Sequence, residues 1–219
     1  MHVLITGGAG FIGSHLVDLH LARGDSVHVV DDLSTGARAN VARHEDNPNF
    51  RFDEADVLTW DRLDRVVAWA DRIYHLAAIV GVYRVIAEPT KVLATNIVGC
   101  ERILRAAHAG GWKPQVVLAS SSEVYGHNDE TLLREDQDLT VSSRAGTRWG
   151  YSVSKIADEA LGMSYSQRFG IPAVIALMSW LFLGERISRR MWAAAACAVL
   201  GLAVLALARA DFASAHASP

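Results

Sequence analysis

A chain of 219 residues, 51% apolar and 21% charged, is long enough for one domain with a substantial core and too short for two full-sized ones. Its formal net charge of −3 excludes the strongly basic surface that nucleic-acid binding needs. The two cysteines, Cys100 and Cys197, lie far apart and form no metal-type cluster with the nine histidines, which excludes a disulfide framework and predicts buried thiols and no metal site.

Taken in chain order, residues 3–6 form a short apolar run followed by a glycine-rich turn. Residues 11–22 then place Ile12, Leu16, Leu19 and His20 at helical spacing, so the opening reads strand, tight turn, helix. Residues 26–30 are a β-branched run that ends in Asp31-Asp32, and 50–52 and 72–76 are further strand candidates. A long helix is predicted over 89–109, a buried strand over 116–119, a helix over 151–168 and a strand over 173–177. Residues 126–150 are polar and weakly periodic, which predicts a long surface loop of the kind that carries substrate contacts. Strands alternating with helices predict an α/β fold, a Rossmann-like doubly wound parallel sheet covered on both faces.

The turn Thr6-Gly7-Gly8-Ala9-Gly10-Phe11-Ile12-Gly13 leaves the first strand and opens a helix. Glycines at 7, 10 and 13 suit a tight turn, close approach of backbone to a diphosphate, and packing of helix on strand. Asp31, at the end of the second strand, is placed to accept hydrogen bonds from an adenosine ribose, and with Asp32 beside it would repel a 2′-phosphate. The expected cofactor is therefore NAD and not its phosphorylated form, although Asp31 or Asp32 could equally serve as a turn or helix-capping carboxylate.

Tyr151-Ser-Val-Ser-Lys155 puts a phenol and an ammonium one turn apart on a helix face. A nearby cation favours the phenolate, so Lys155 is expected to lower the pKa of Tyr151 and make it a usable base. The same pattern on an exposed helix is only a solvated pair. Lysine is scarce here, with Lys91, Lys113 and Lys155 the three in the chain, and the pair follows Ser120-Ser121-Ser122-Glu123-Val124-Tyr125-Gly126 at the end of a buried strand.

These motifs, with Asp31-Asp32-Leu-Ser-Thr-Gly36, Asp56-Val57, His75-Leu76-Ala77-Ala78 and Asn96-Ile-Val-Gly99 in order, resemble the NAD-dependent epimerase/dehydratase family of extended short-chain dehydrogenases. The resemblance implies that Gly7, Gly10, Phe11, Ile12 and Gly13 line the diphosphate, Asp31 and Asp32 the ribose, Asp56 and Val57 the adenine, and Ala77 and Ala78 the middle of the cofactor. Tyr151 and Lys155 would also touch it, and Asn96 would fix the active-site backbone. It further implies a nucleotide-sugar substrate oxidised transiently at C4, with Ser121 donating to the sugar oxygen and Tyr151 as base. Ser120 and Ser122 would then be structural, and Tyr125 packed in the turn. Glu123 is either a catalytic carboxylate or a surface one. Family dehydratases carry Asp where Ser122 stands, so the expected reaction is epimerisation or decarboxylation in preference to dehydration. A homodimer is implied by the resemblance alone.

The resemblance covers residues 1 to about 175. Past it, residues 186–190 hold three arginines and 191–208 are eighteen residues without a charge. At roughly 1.5 Å per residue such a helix spans about 27 Å, which meets the length of a membrane span. A helix buried against the sheet is the other reading, but the run has no polar face. The segment resembles the last hairpin of drug/metabolite (EamA-type) transporters, from which no transport function carries over. The expected organisation is an NAD-binding domain over 1–175, a hydrophobic helical tail over 176–210 and a disordered end over 211–219. No secretory signal opens the chain, and Arg186, Arg189 and Arg190 before the apolar run would keep the first domain cytoplasmic, anchored at the inner membrane face. A membrane-tethered NAD-binding remnant without catalysis is the alternative to an active enzyme.

Overall fold

A computed structural model describes residues 1–126, 138–141 and 149–177, with the side chain of Val82 excepted. Most of the expected polar loop, Cys197 and everything assigned to the tail beyond residue 177 lie outside the described residues. Among those described, no helix is long and apolar enough to cross a membrane.

Six strands form one sheet: β1 (His2–Thr6), β2 (Ser26–Asp31), β3 (Phe50–Glu54), β4 (Arg72–His75), β5 (Gln115–Ser120) and β6 (Ala173–Leu177). The order is β3-β2-β1-β4-β5-β6, and every pairing is parallel. Val3, Leu4 and Ile5 of the central strand are fully buried, as a sheet covered on both faces requires. One core cluster joins Leu4 and Ile73 to Ile103, Leu104 and Leu118; the other joins Val3, Ile5 and Val29 to Leu16 and Val17.

The helices are α1 (Phe11–Ala22), α2 (Leu63–Trp69), α3 (Val82–Ala87), α4 (Pro89–Ala109) and α5 (Gly150–Phe169). Pro89 opens α4, where its missing N–H costs nothing, and Gly170 closes α5 in the left-handed conformation. Along α1 the buried side is Gly13, Ser14, Leu16, Val17 and His20, whereas Leu19 faces outward. The apolar spacing read from the sequence therefore picked two residues of the buried face, Leu16 and His20, and two from outside it, Ile12 and Leu19. Helix α3, six residues long, is too short for the spacing of Val82, Val85 and Ile86 to stand out in the sequence, and two short 3-10 turns lie between β2 and β3 at Arg38–Asn40 and Ala42–His44.

The strand order reverses beside β1, so the turn after Thr6 opens between the ends of β2 and β4. Thr6 pairs with Val30 on one side and His75 on the other, which sets Asp31 and Leu76-Ala77 at the two walls of that opening.

Candidate active site

The glycine turn is shaped by close approach. Gly7 has a left-handed φ of 72°, donates to Val30 O at 2.8 Å, and a Cβ there would lie 2.8 Å from Ala77 N. A Cβ on Gly13 would come within 2.6 Å of Gly8 Cα, so α1 can rest on the turn only with hydrogen at that position. The first turn of α1 has no acidic residue, so its N–H groups and the positive end of the helix dipole are suited to an anion.

A cleft of about 370 Å³ opens above this turn. It is lined by Gly7, Gly10, Phe11, Ile12 and Gly13, by Asp31 and Asp32, by Asp56 and Val57, and by Ala77 and Ala78. Thr35, within the run Asp31-Asp32-Leu-Ser-Thr-Gly36, also lines it, as do Ile79 and Thr95, which no motif in the sequence included. Ile12 is thus a cleft residue and not part of the core stripe of α1.

Asp31 Oδ2 accepts Ala9 N–H and Oδ1 accepts Leu33 N–H, each at 2.9 Å. Burial pushes its pKa up, and the two backbone donors pull it back. Each oxygen keeps a lone pair for a further donor in the cleft. Asp32 is exposed and accepts Ser34 N–H at 3.0 Å, the turn role left open for it. Asp56 closes a similar turn onto Leu58 N–H at 2.8 Å.

The catalytic candidates gather at the end of β5. Ser121 starts the 3-10 turn Ser122–Tyr125 and accepts Glu123 N–H at 3.3 Å. Ser152 Oγ donates to Glu123 O at 2.7 Å, which ties the start of α5 to this turn and sets Tyr151 beside Ser121. The Ser121 hydroxyl is close enough to the Tyr151 phenol to favour its ionised form, and Lys155 Nζ lies 6.0 Å from the centre of its ring. Ser120 donates to Glu159, Ser122 and Glu123 are exposed, and Tyr125 is buried in the turn.

The structure adds to the sequence reading at one point and corrects it at another. Lys155 is buried, unlike the solvated pair that the same pattern makes on an exposed helix, and its ammonium donates to Asp158 Oδ2 at 3.0 Å. Burial pushes the Tyr151 pKa above the ordinary phenol range, and the opposing pulls of Lys155 and Ser121 do not overcome it. The expected lowering is therefore reversed in the ligand-free chain, because desolvation of the phenolate exceeds the attraction of an ammonium shared with a carboxylate.

Tyr151, Lys155 and Asn96, although expected against the cofactor, are not among the residues lining the cleft. Asn96 connects the two groups. Its Oδ1 accepts Ile79 N–H at 2.8 Å, and its Nδ2 donates to Ile79 O at 3.3 Å and Ser154 Oγ at 3.0 Å. Beneath them His75 Nδ1 meets Thr6 Oγ1 at 2.8 Å; burial, then the charge of Lys155, pushes its pKa down to about 3, so it is a neutral imidazole.

This arrangement accords with the comparisons to known proteins. The family model for GDP-mannose 4,6 dehydratase matches residues 4–189. The chain belongs to this family. Among curated members, UDP-glucuronic acid decarboxylase 4 of Arabidopsis thaliana is 37% identical over 179 residues, covering 80% of this chain and 38% of the relative. Among solved structures, DesIV, a dTDP-glucose 4,6-dehydratase from Streptomyces venezuelae with NAD and TYD bound, superposes with a TM-score of 0.72 at 35% identity. The match covers 80% of this chain and 54% of that one. A UDP-N-acetylglucosamine 4-epimerase from Methanobrevibacter ruminantium in complex with UDP-N-acetylmuramic acid gives 0.71 at 30% identity, over 80% of this chain and 53% of that one. The chain thus spans about half the length, or less, of these family members.

Proposed function

We propose that this chain binds NAD in the cleft above the glycine turn and acts on a nucleotide-sugar by transient oxidation at C4, as an epimerase or a related decarboxylase. The observation that carries the reading is the convergence of Gly7, Gly13, Asp31, Asp56 and Ala77 on one cleft, with a turn that an added Cβ would block. NAD-bound DesIV among the structural neighbours supports the cofactor, and the decarboxylase and epimerase relatives support the substrate class.

Bound NAD would supply the two-electron acceptor. Ser121 would donate its hydroxyl to the sugar oxygen, and Tyr151, as phenolate, would take the proton from it. A phenol with a raised pKa is a stronger base once ionised but a scarcer one at neutral pH, so Lys155 and Ser121 are needed to populate it. Glu123 stands exposed beside this pair. Ser122 in place of the family dehydratases' Asp withholds one of the two groups that water elimination uses, which favours the other reactions.

Residues 191–208 would give the chain a membrane-facing tail with Arg186, Arg189 and Arg190 at the cytoplasmic surface. Solubility of the intact chain without detergent would dismiss that part of the reading, and sedimentation of the same sample reports whether two copies pair.

The deciding experiment has two readouts on the intact polypeptide: calorimetry with NAD, and conversion of UDP- and dTDP-sugars followed by chromatography. Binding with conversion that disappears in Tyr151→Phe is the expected result. Conversion that persists in that variant overturns the assignment of the base. Binding without any conversion would assign the chain the other role, a nucleotide-binding protein without turnover, and no binding would remove both.

A further inference from the structure

The buried ion pair on α5 has a feature that a purely structural pair lacks. Lys155 and Asp158 are each only 4% exposed at the side chain, and Asp158 Oδ2 takes the ammonium at 3.0 Å. Among the described residues no N–H or O–H group reaches the equally buried Asp158 Oδ1, and the weakly donating Cys100 thiol is the further polar group beside this carboxylate. A carboxylate kept for stability would have both oxygens satisfied, because a buried charge with an idle oxygen costs more than a neutral side chain of the same size. What the carboxylate does supply is a fixed place and a counter-charge for Lys155. Asp158 lies one turn beyond Lys155 along α5, and Tyr151 one turn before it, so the ammonium is held between the phenol and the carboxylate.

We propose that Asp158 is a positioning residue for proton transfer at Tyr151, holding the Lys155 ammonium in place and offsetting its pull on the phenol. The inference rests on Tyr151 being the base, but its physical content concerns the ionisation of Tyr151 and needs no turnover.

The surrounding groups leave Lys155 as the route of that control. From α4 the Cys100 thiol faces Asp158 and is kept neutral by burial. From β4 His75 is a neutral imidazole near Lys155. From the turn after β5, the Ser121 hydroxyl favours the phenolate and Glu123 adds a negative charge from the exposed side. On α5 itself Glu159 is taken up by Ser120. Among the described residues Lys155 is the cation acting on Tyr151, with Asp158 and Glu123 opposing it. Asp158 alone of these two binds the ammonium.

The test is a titration of Tyr151 in the intact chain carrying ring-labelled tyrosine, followed by NMR. The signal is assigned among the five tyrosines by its loss in Tyr151→Phe. Asp158→Asn keeps the shape and removes the charge, and is expected to move the Tyr151 midpoint down by about one pH unit, the scale of one uncompensated neighbouring charge. In a Lys155→Met background the same substitution is expected to move it by less than about a third of that, since no ammonium remains to be offset. A midpoint that stays or rises in Asp158→Asn, or an equal shift in both backgrounds, overturns the proposal, whatever happens to the melting temperature. Should the single variant fail to fold, the double variant, free of both buried charges, still gives the second comparison. A shifted midpoint in a chain that converts no nucleotide-sugar would refute the proposed function and leave this inference standing.

Discussion

Asn96 and Ser154 lie 58 positions apart in sequence and meet at 3.0 Å, Nδ2 to Oγ, inside the protein. Ser154 in turn donates to Tyr151 O at 2.7 Å, and Asn96 holds both backbone groups of Ile79, a wall residue of the cleft. A single side chain thereby fixes the distance between the expected cofactor and the expected base.

Asn96→Ala should therefore be costly. It removes the side-chain partner of both the Ile79 N–H and the Ile79 carbonyl in a part-buried site, a loss of about 1–3 kcal/mol for each group stranded, while Ser154 keeps its bond to Tyr151 O. Urea unfolding is expected to show the destabilisation, and calorimetry a weakened NAD affinity in the same variant. Wild-type values on both would show that Asn96 is not the connection described.

Gly13→Ala tests the cofactor cradle. Its Cβ would sit within 2.6 Å of Gly8 Cα, so α1 must lift from the turn. We expect NAD binding to be lost beyond calorimetric detection, with far-UV circular dichroism retained, because the strain falls on the turn and not on the sheet. An unchanged dissociation constant would dissociate the turn from the ligand.

Asp31→Asn tests the ribose anchor. Asparagine cannot accept both backbone N–H bonds that Asp31 receives, and it no longer repels a 2′-phosphate. NAD affinity is expected to fall about tenfold, the worth of a charge-assisted hydrogen bond, and the preference over NADP to shrink by more than that. A preference that survives would locate cofactor selection elsewhere in the cleft.

The acid sensitivity of the fold should carry the mark of His75. Its folded pKa, pushed to about 3, lies below the ordinary value of 6.5, so the unfolded chain binds the extra proton more readily. The contribution is fully present above pH 6.5 and is lost as pH falls from 6.5 towards 3. Across that window it amounts to a few kcal/mol. Burial shifts His20 and His28 in the same direction, so the measurement is a comparison: His75→Gln is expected to flatten the slope of stability against pH between 6.5 and 4. An unchanged slope would mean that His75 is protonated in the folded chain.

Much of the fold was legible because it is local. The limits of α1, α4 and β6 follow from apolar runs, Pro89 and the glycine turn, and all six strands were found within a residue or two at each end. The outer face of α1 was misread because Ile12 and Leu19 are apolar for different reasons, one lining a cleft and the other standing partly in solvent. Composition alone does not separate those from core.

The amino-acid order by itself determined the strand-turn-helix opening, the acidic residue after β2 and the positions of Ser121, Tyr151 and Lys155, since backbone sterics and residue spacing act over a few positions. Only the tertiary structure decided that Asn96 would join Ile79 to Ser154, that Lys155 would answer to Asp158, and that the Tyr151 phenol would become less acidic instead of more. Those outcomes depend on which groups are brought together from distant segments and how much water is excluded between them, and desolvation has no signature in a local run of residues.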